Sequence, residues 1–229
     1  MRNCLLCNRE IRWQPDISWF FSLKPLTRRL ICADCEKSFE KIGGPACPGC
    51  GRPQADDQLC ADCRYWVRQG RELLCNKSLY IYNQPAMRAY FKRYKFQGDY
   101  RLWRIFGPEF TAFIKRQTNK NDLLVPIPVD DETYQKRRFN QVEGLCPGVE
   151  LCSCLKMRQK KGRIKQSHKS RQQRLATAQP FYLEEKESLK GKNVVLLDDI
   201  YTTGRTLYHA QSLLEAAGAA KVYSLTLAR

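Results

Sequence analysis

Eight cysteines in four identical pairs set the strongest limit on how the start of this chain can fold. The pairs are Cys4-x-x-Cys7, Cys32-x-x-Cys35, Cys47-x-x-Cys50 and Cys60-x-x-Cys63. Two intervening residues let a tight backbone knuckle aim both sulfurs at one ion, and two knuckles complete a tetrahedral four-cysteine zinc site. The same stretch is rich in Gly, Pro and charge, as in GGPACPGCGRPQ (43–54), and holds few apolar residues for a core of its own. Metal ligation would then supply the folding free energy that packing cannot. Buried structural thiols and redox CxxC pairs are the competing readings, and the redox reading lacks an accompanying βαβ pattern. We read two zinc ions. Sequential pairing places Cys4, Cys7, Cys32 and Cys35 at one and Cys47, Cys50, Cys60 and Cys63 at the other, because each then closes a short loop. A cross-brace joining the first pair to the third satisfies the spacing equally.

From Ser78 onward the pattern changes to alternating helix-period and strand-like runs, the mark of an α/β sheet. The break at Leu73 to Lys77 divides the chain into residues 1–73, the cysteine module, and residues 78–229. Met87, Tyr90, Phe91 and Tyr94 stand at helical spacing, and LLVPIPV (123–129) reads as a buried strand stopped by prolines. QVEGLCPGVELCSC (141–154) carries Pro147 and Gly148, each costly inside a helix, so a helix starting there should stop early or kink. NVVLL (193–197) reads as a parallel core strand. Leu207, Ala210, Leu213 and Leu214 form one apolar helical face ending at Gly218, and KVYSLTLAR (221–229) reads as a closing strand. Cys75, Cys146, Cys152 and Cys154 lack knuckle spacing and read as ordinary thiols.

The net charge is +17, which favours polyanionic partners without choosing among nucleic acid, anionic lipid and phosphorylated ligands. The N-terminal MRNCLLCNRE has no long apolar segment behind its basic residue, and no run approaches the roughly 18 apolar residues of a membrane span. The expectation is a soluble, cytoplasmic chain whose cysteines stay reduced.

The chemistry concentrates in VVLLDDIYTTGRT (194–206). In an open parallel sheet, ligands sit at the carboxyl ends of strands, where loops enter helix N-termini. Asp198 and Asp199 would stand at that edge. Backbone amides and the hydroxyls of Thr202, Thr203 and Thr206 would surround a phosphate at the positive end of the next helix, with Gly204 allowing close approach and Arg205 beside it. Capping of the turn by Asp198 and of the helix by the threonines is the plainer alternative. The full run of apolar strand, two acids, two spacers, Thr-Thr-Gly-x-Thr and amphipathic helix is far more specific than a DD pair.

This run closely resembles the phosphoribosyl pyrophosphate (PRPP) motif of type I phosphoribosyltransferases. The resemblance implies that Asp198 and Asp199 contact ribose hydroxyls, and that Thr202, Thr203, Gly204, Arg205 and Thr206 hold the 5′-phosphate. Some members carry a third acid in this loop as a base; here the position is Thr202. The cysteine pairs, YKFQGD (94–99), VPIP (125–128), RRFNQ (137–141), KQSHKSRQQR (165–174) and the PRPP motif follow in the order of the ComF family of late competence proteins. That resemblance implies a double zinc ribbon on a phosphoribosyltransferase-like domain. It further implies handling of single-stranded DNA during natural transformation, beside a helicase partner and close to the membrane-associated uptake machinery.

Two departures stand out: the family usually writes RGFNQ where this chain has Arg138, and Asp130, Asp131 and Glu132 follow VPIP where basic residues are frequent. Those acids would repel a bare pyrophosphate, though Mg²⁺ would let them engage it. The altered VPIP loop favours binding, while the intact acidic pair and TTGRT keep an active Mg²⁺-dependent phosphoribosyltransferase with an unidentified acceptor as the alternative function. A scaffold with a vestigial nucleotide site is a weaker third.

Lys156 to Arg174 holds nine Lys and Arg, and no acid occurs between Glu150 and Glu184. Phosphoribosyltransferases carry a lid at a similar place, while a solvated charge run is the plainer reading. Nine cations exceed what one PRPP needs and suit a polymeric phosphate backbone. Lys160, Lys161, Arg163, Lys165, Lys169, Arg171 and Arg174, with Arg93, Lys95, Arg137 and Arg138, are the nucleic-acid candidates. Rings interleaved with cations between Arg88 and Arg104 would stack on bases if exposed, although helical spacing assigns most of them to the core.

Overall fold

The structure, a computed structural model, describes residues 3–11, 29–158, 179–184 and 189–229. Among the described residues two short helices accompany the cysteine pairs: α1, Ala33–Lys37, and α2, Ala61–Arg68. There follow β1, Asn76–Tyr80, then α3, Pro85–Phe91, which runs directly into a single π-helical turn, Lys92–Phe96. Next come α4, Trp103–Gln117; β2, Leu123–Pro126; α5, Asp131–Arg137; and α6, Gln141–Gly144. The remaining elements among the described residues are β3, Leu155–Met157; β4, Phe181–Leu183; β5, Asn193–Ile200; α7, Arg205–Ala216; and β6, Lys221–Ala228.

The main sheet has four strands in the order β1-β6-β5-β2. All three pairings are parallel. The strand of KVYSLTLAR completes a βαβ unit with β5 and α7, and it lies inside the sheet, between β1 and β5. A smaller antiparallel ribbon pairs β3 with β4. Residues 159–178 lie between those two strands in the chain. Lys160, Lys161, Arg163, Lys165, Lys169, Arg171, Arg174 and most of the expected lid thus fall outside the described residues.

Continuous apolar runs suit a parallel sheet because both faces are covered. Val194 to Leu197 are all fully buried. Strand alternation sends Val194 and Leu196 into one core, with Leu207, Ala210 and Leu214 of α7 and the second cysteine quartet. Val195 and Leu197 enter the other, with Met87, Tyr90, Phe91, Phe106 and Phe110 of α3 and α4. The cysteine segments pack against the sheet: Asn76 donates to the Gly49 carbonyl at 2.7 Å, and Phe39 meets Phe106 edge-on. β1 starts two residues ahead of Ser78, where the sequence pattern shifts.

The helix expected from Gln141 stops at Gly144, ahead of Pro147 and Gly148. Tyr90, Phe91 and Tyr94 are buried, as helical spacing requires, whereas Phe96 and Tyr100 are 69% and 46% exposed. Among the described residues no helix is long and apolar enough to cross a membrane.

Candidate functional site

Asp198 and Asp199 end the apolar stretch of β5, and their carboxyl groups lie close enough to interact. Asp198 is 8% exposed and Asp199 3%. The Asp198 carboxylate folds back to accept from the Asp199 amide at 2.8 Å. Burial first, and then the neighbouring Asp199 charge, push Asp198 well above the ordinary carboxylate range, with Lys95 pulling the other way. The Lys95 ammonium lies 2.5 Å from Oδ2 of Asp199 and forms an ion pair with it.

The π turn places Lys95 there. Single π turns widen a helix by one residue and recur at functional sites. This one buries Tyr94, whose hydroxyl donates to the Gln141 carbonyl at 3.0 Å, and turns Lys95 under the Phe91 ring toward the sheet edge. Asp99 closes the YKFQGD segment by accepting from Arg101 and Arg93, and the Arg101 bond is the main cause that lowers its pKa. Arg93 also donates to the Leu6 carbonyl at 3.0 Å. Arg93 and Lys95 thus both point into the protein.

After β5 the chain turns at Tyr201 to Gly204. Gly204 has φ 77°, and a Cβ added to it would lie 2.2 Å from the Tyr201 hydroxyl. Only glycine meets both demands. Thr202, Thr203 and Thr206 are exposed at the start of α7. Tyr201 Oη and Arg205 Nη2 are buried without a hydrogen-bond partner. Exposed hydroxyls, an unpaired guanidinium nitrogen and a helix N-terminus together suit an anion.

RRFNQ forms the neighbouring corner. Arg137 donates to Gln141 Oε1 at 2.7 Å and lies over the exposed Phe96 ring at 5.5 Å. Arg138 caps α5 with φ 67°. That left-handed backbone explains a glycine at this place in the family pattern. Asn140 caps α6 and donates to the Ile127 carbonyl, fastening the VPIP loop. Asp130 accepts from the Thr133 amide at 2.7 Å, so the acids after VPIP begin a helix, where its dipole favours them.

The cysteines converge into two groups, Cys4, Cys7, Cys32, Cys35 and Cys47, Cys50, Cys60, Cys63, with all ligand atoms of each within 4.8 Å of one another. The sulfurs of Cys7 and Cys32 are 3.7 Å apart, those of Cys47 and Cys63 3.6 Å, and those of Cys50 and Cys60 3.5 Å. A tetrahedron with metal–sulfur bonds of about 2.3 Å has edges of about 3.8 Å, so both groups suit a zinc ion. Arg9 draws the Cys7 thiol down to about 6 by hydrogen bonding. Cys50 is drawn down to about 4, first by a hydrogen bond with Cys63 and also by Arg229. Gly49 is required in its knuckle, because a Cβ there would sit 2.8 Å from the Cys63 sulfur.

Sequence reasoning missed Trp66, which donates from Nε1 to the Thr203 carbonyl at 2.8 Å, and Arg229, which donates to the Thr202 carbonyl at 2.9 Å. It placed Lys95 among nucleic-acid ligands, with no signal for its pairing to Asp199. The remaining cysteines join neither group: Cys75 is exposed, Cys152 half-buried, and Cys146 and Cys154 buried.

A parallel sheet flanked by helices, with an acidic pair at its carboxyl edge and a glycine-hinged loop entering a helix, defines a domain of the phosphoribosyltransferase type. The chain matches the phosphoribosyl transferase domain family over residues 139–229. Two curated relatives extend the match to the whole chain. Competence protein ComFC of Streptococcus pneumoniae is 36% identical over 230 residues, covering 99% of each chain. Competence protein ComFC of Bacillus subtilis is 36% identical over 236 residues, covering 99% of this chain and 94% of the relative. The chain belongs to the ComFC family of competence proteins. A hypoxanthine phosphoribosyltransferase from Staphylococcus aureus aligns over 54% of this chain and 61% of its own, with 13% identity and a TM-score of 0.31, too loose to bear on the site.

Proposed function

We propose that this chain binds single-stranded DNA during DNA uptake, in the cytoplasm beside a helicase partner at the membrane-associated machinery, and carries a PRPP-type ribose-phosphate site. The observation that carries the reading is a net charge of +17 in a member of a competence family. Residues 1–73 act as a double zinc ribbon and 78–229 as the phosphoribosyltransferase-like domain. Asp198 and Asp199 take the ribose hydroxyls, while Thr202, Thr203, Gly204, Arg205 and Thr206 take the phosphate. The unpaired Arg205 nitrogen and the exposed threonines support that assignment. Arg137, Arg138 and the cations from Lys160 to Arg174 follow the DNA backbone. Arg93 and Lys95, held by internal partners, contribute to the local field more than to direct contact.

Anisotropy with labelled oligonucleotides tests the proposal: a single strand should bind more tightly than the duplex of equal length. Equal affinity, or none, would remove it.

The buried acidic pair favours a second reading, Mg²⁺-dependent transfer of phosphoribosyl from PRPP. Against it, Lys95 already supplies Asp199 with a counter-ion. Calorimetric titration of PRPP with Mg²⁺ should give binding lost in Asp199→Asn. Absence of binding by the unaltered chain would end this reading.

A further inference from the structure

The loop of residues 201–204 is held from behind by the second cysteine module. Trp66 lies on α2, three residues after Cys63, and donates from its indole nitrogen to the Thr203 carbonyl at 2.8 Å. Its ring is stacked on Tyr208 of α7, centroids 4.5 Å apart. Arg229 donates from one nitrogen to the carbonyls of Tyr201 and Thr202 at 3.3 and 2.9 Å, and from the other to the Cys50 sulfur at 2.9 Å. Its guanidinium also covers the Tyr201 ring at 4.7 Å. Three successive loop carbonyls are therefore held by Trp66, on the module that carries Cys47, Cys50, Cys60 and Cys63, and by Arg229, which is itself bonded to the Cys50 sulfur.

Peptide planarity gives this a consequence. In a trans peptide the carbonyl of one residue and the N–H of the next point in opposite directions. Turning the carbonyls of Tyr201, Thr202 and Thr203 toward Arg229 and Trp66 turns the N–H groups of Thr202, Thr203 and Gly204 the other way. Among the described residues no acceptor takes a hydrogen bond from those three amides. They form a row of spare donors beside the start of α7, the arrangement an anionic oxygen requires.

We propose that the second cysteine centre is a structural part of the phosphate site, with Trp66 and Arg229 as the positioning residues that aim the loop amides. The proposal rests on the ribose-phosphate reading above and adds what builds that site. The centre fixes α2 and Cys50, these fix Trp66 and Arg229, and the loop is thereby shaped before any ligand arrives. Neither residue touches the ligand.

The test uses the full metal-loaded chain with ribose 5-phosphate as the probe. Trp66→Phe keeps the stack on Tyr208 and deletes the indole donor; Arg229→Met deletes the guanidinium, which lies outside the four sulfurs. Each variant should bind ribose 5-phosphate about fivefold more weakly, the size of one net hydrogen bond, with the metal count by native mass spectrometry unchanged. Amide exchange in the ligand-free protein supplies the second arm. Tyr201 and Tyr208 donate to the Ala228 and Gly204 carbonyls and bracket the loop, so both amides should exchange faster in each variant. Unchanged affinity and unchanged exchange would overturn the proposal. Should the unaltered chain not bind ribose 5-phosphate, the ribose-phosphate reading fails on its own, and the exchange arm alone decides whether the clamp exists. If Trp66→Phe loses metal, Arg229→Met carries the same comparison.

Discussion

Replacing Arg138 with glycine should stabilise the protein while weakening its hold on DNA. Arg138 ends α5 with φ 67° and ψ 10°, and its amide donates to the Tyr134 carbonyl. A side chain in this left-handed conformation costs about 1–2 kcal/mol. Glycine removes that cost but returns about 0.4–1 kcal/mol through the greater freedom of its unfolded chain. The net gain is about 0.5–1 kcal/mol, or a rise in melting temperature of about 2–4 °C per kcal/mol for a chain of this size. Arg138→Asn, which tolerates the left-handed region, should recover part of it. Both variants remove one exposed cation, so the slope of log affinity against log salt should shrink by about 0.7 if Arg138 neutralises one phosphate of a single strand. Urea unfolding and oligonucleotide anisotropy read the two effects separately. Lower stability in Arg138→Gly would refute the backbone argument, and an unchanged salt slope would take Arg138 out of the DNA interface.

Gly204→Ala should destabilise the chain by about 2–4 kcal/mol, from left-handed strain and the overlap with Tyr201, and should abolish ribose 5-phosphate binding; wild-type stability would show that the loop is softer than its packing implies. Asp198→Asn tests the cost of the buried carboxylate. A folded pKa above the unfolded value gives a contribution that is complete below the ordinary carboxylate range and lost as pH rises through the raised value. The Asn variant should therefore unfold at higher urea at pH 8, by about 1–3 kcal/mol, with the advantage shrinking toward pH 5. An advantage that grows as pH falls would reverse the sign of the argument. Metal analysis should find two zinc ions per chain, and one or none would contradict the two tetrahedral groups of sulfurs.

The elements legible in the sequence were those with strong local patterns. Val194 to Leu197 announced a doubly covered strand because no alternation breaks the run, and Asp198, Asp199 and Gly204 followed it at fixed spacing. Pro147 and Gly148 likewise marked the early end of α6. Contacts made across the chain were invisible. Trp66 reaches Thr203 over 137 positions, and nothing local to either residue encodes the pairing. The π turn at Lys92–Phe96 escaped because a helical template of 3.6 residues per turn cannot show one inserted residue, and that turn is what brings Lys95 to Asp199. The inner position of β6 depends on strand order, which hydrophobic pattern does not specify.

The most direct test of the account is the affinity for a single-stranded oligonucleotide measured across a salt series with the full metal-loaded chain. Log affinity should fall linearly with log salt, with a slope of about −3 or steeper, corresponding to at least four or five neutralised phosphates at about 0.7 each. A shallow slope near zero, or no binding at low salt, would contradict the claim that this chain's positive charge serves a nucleic-acid backbone.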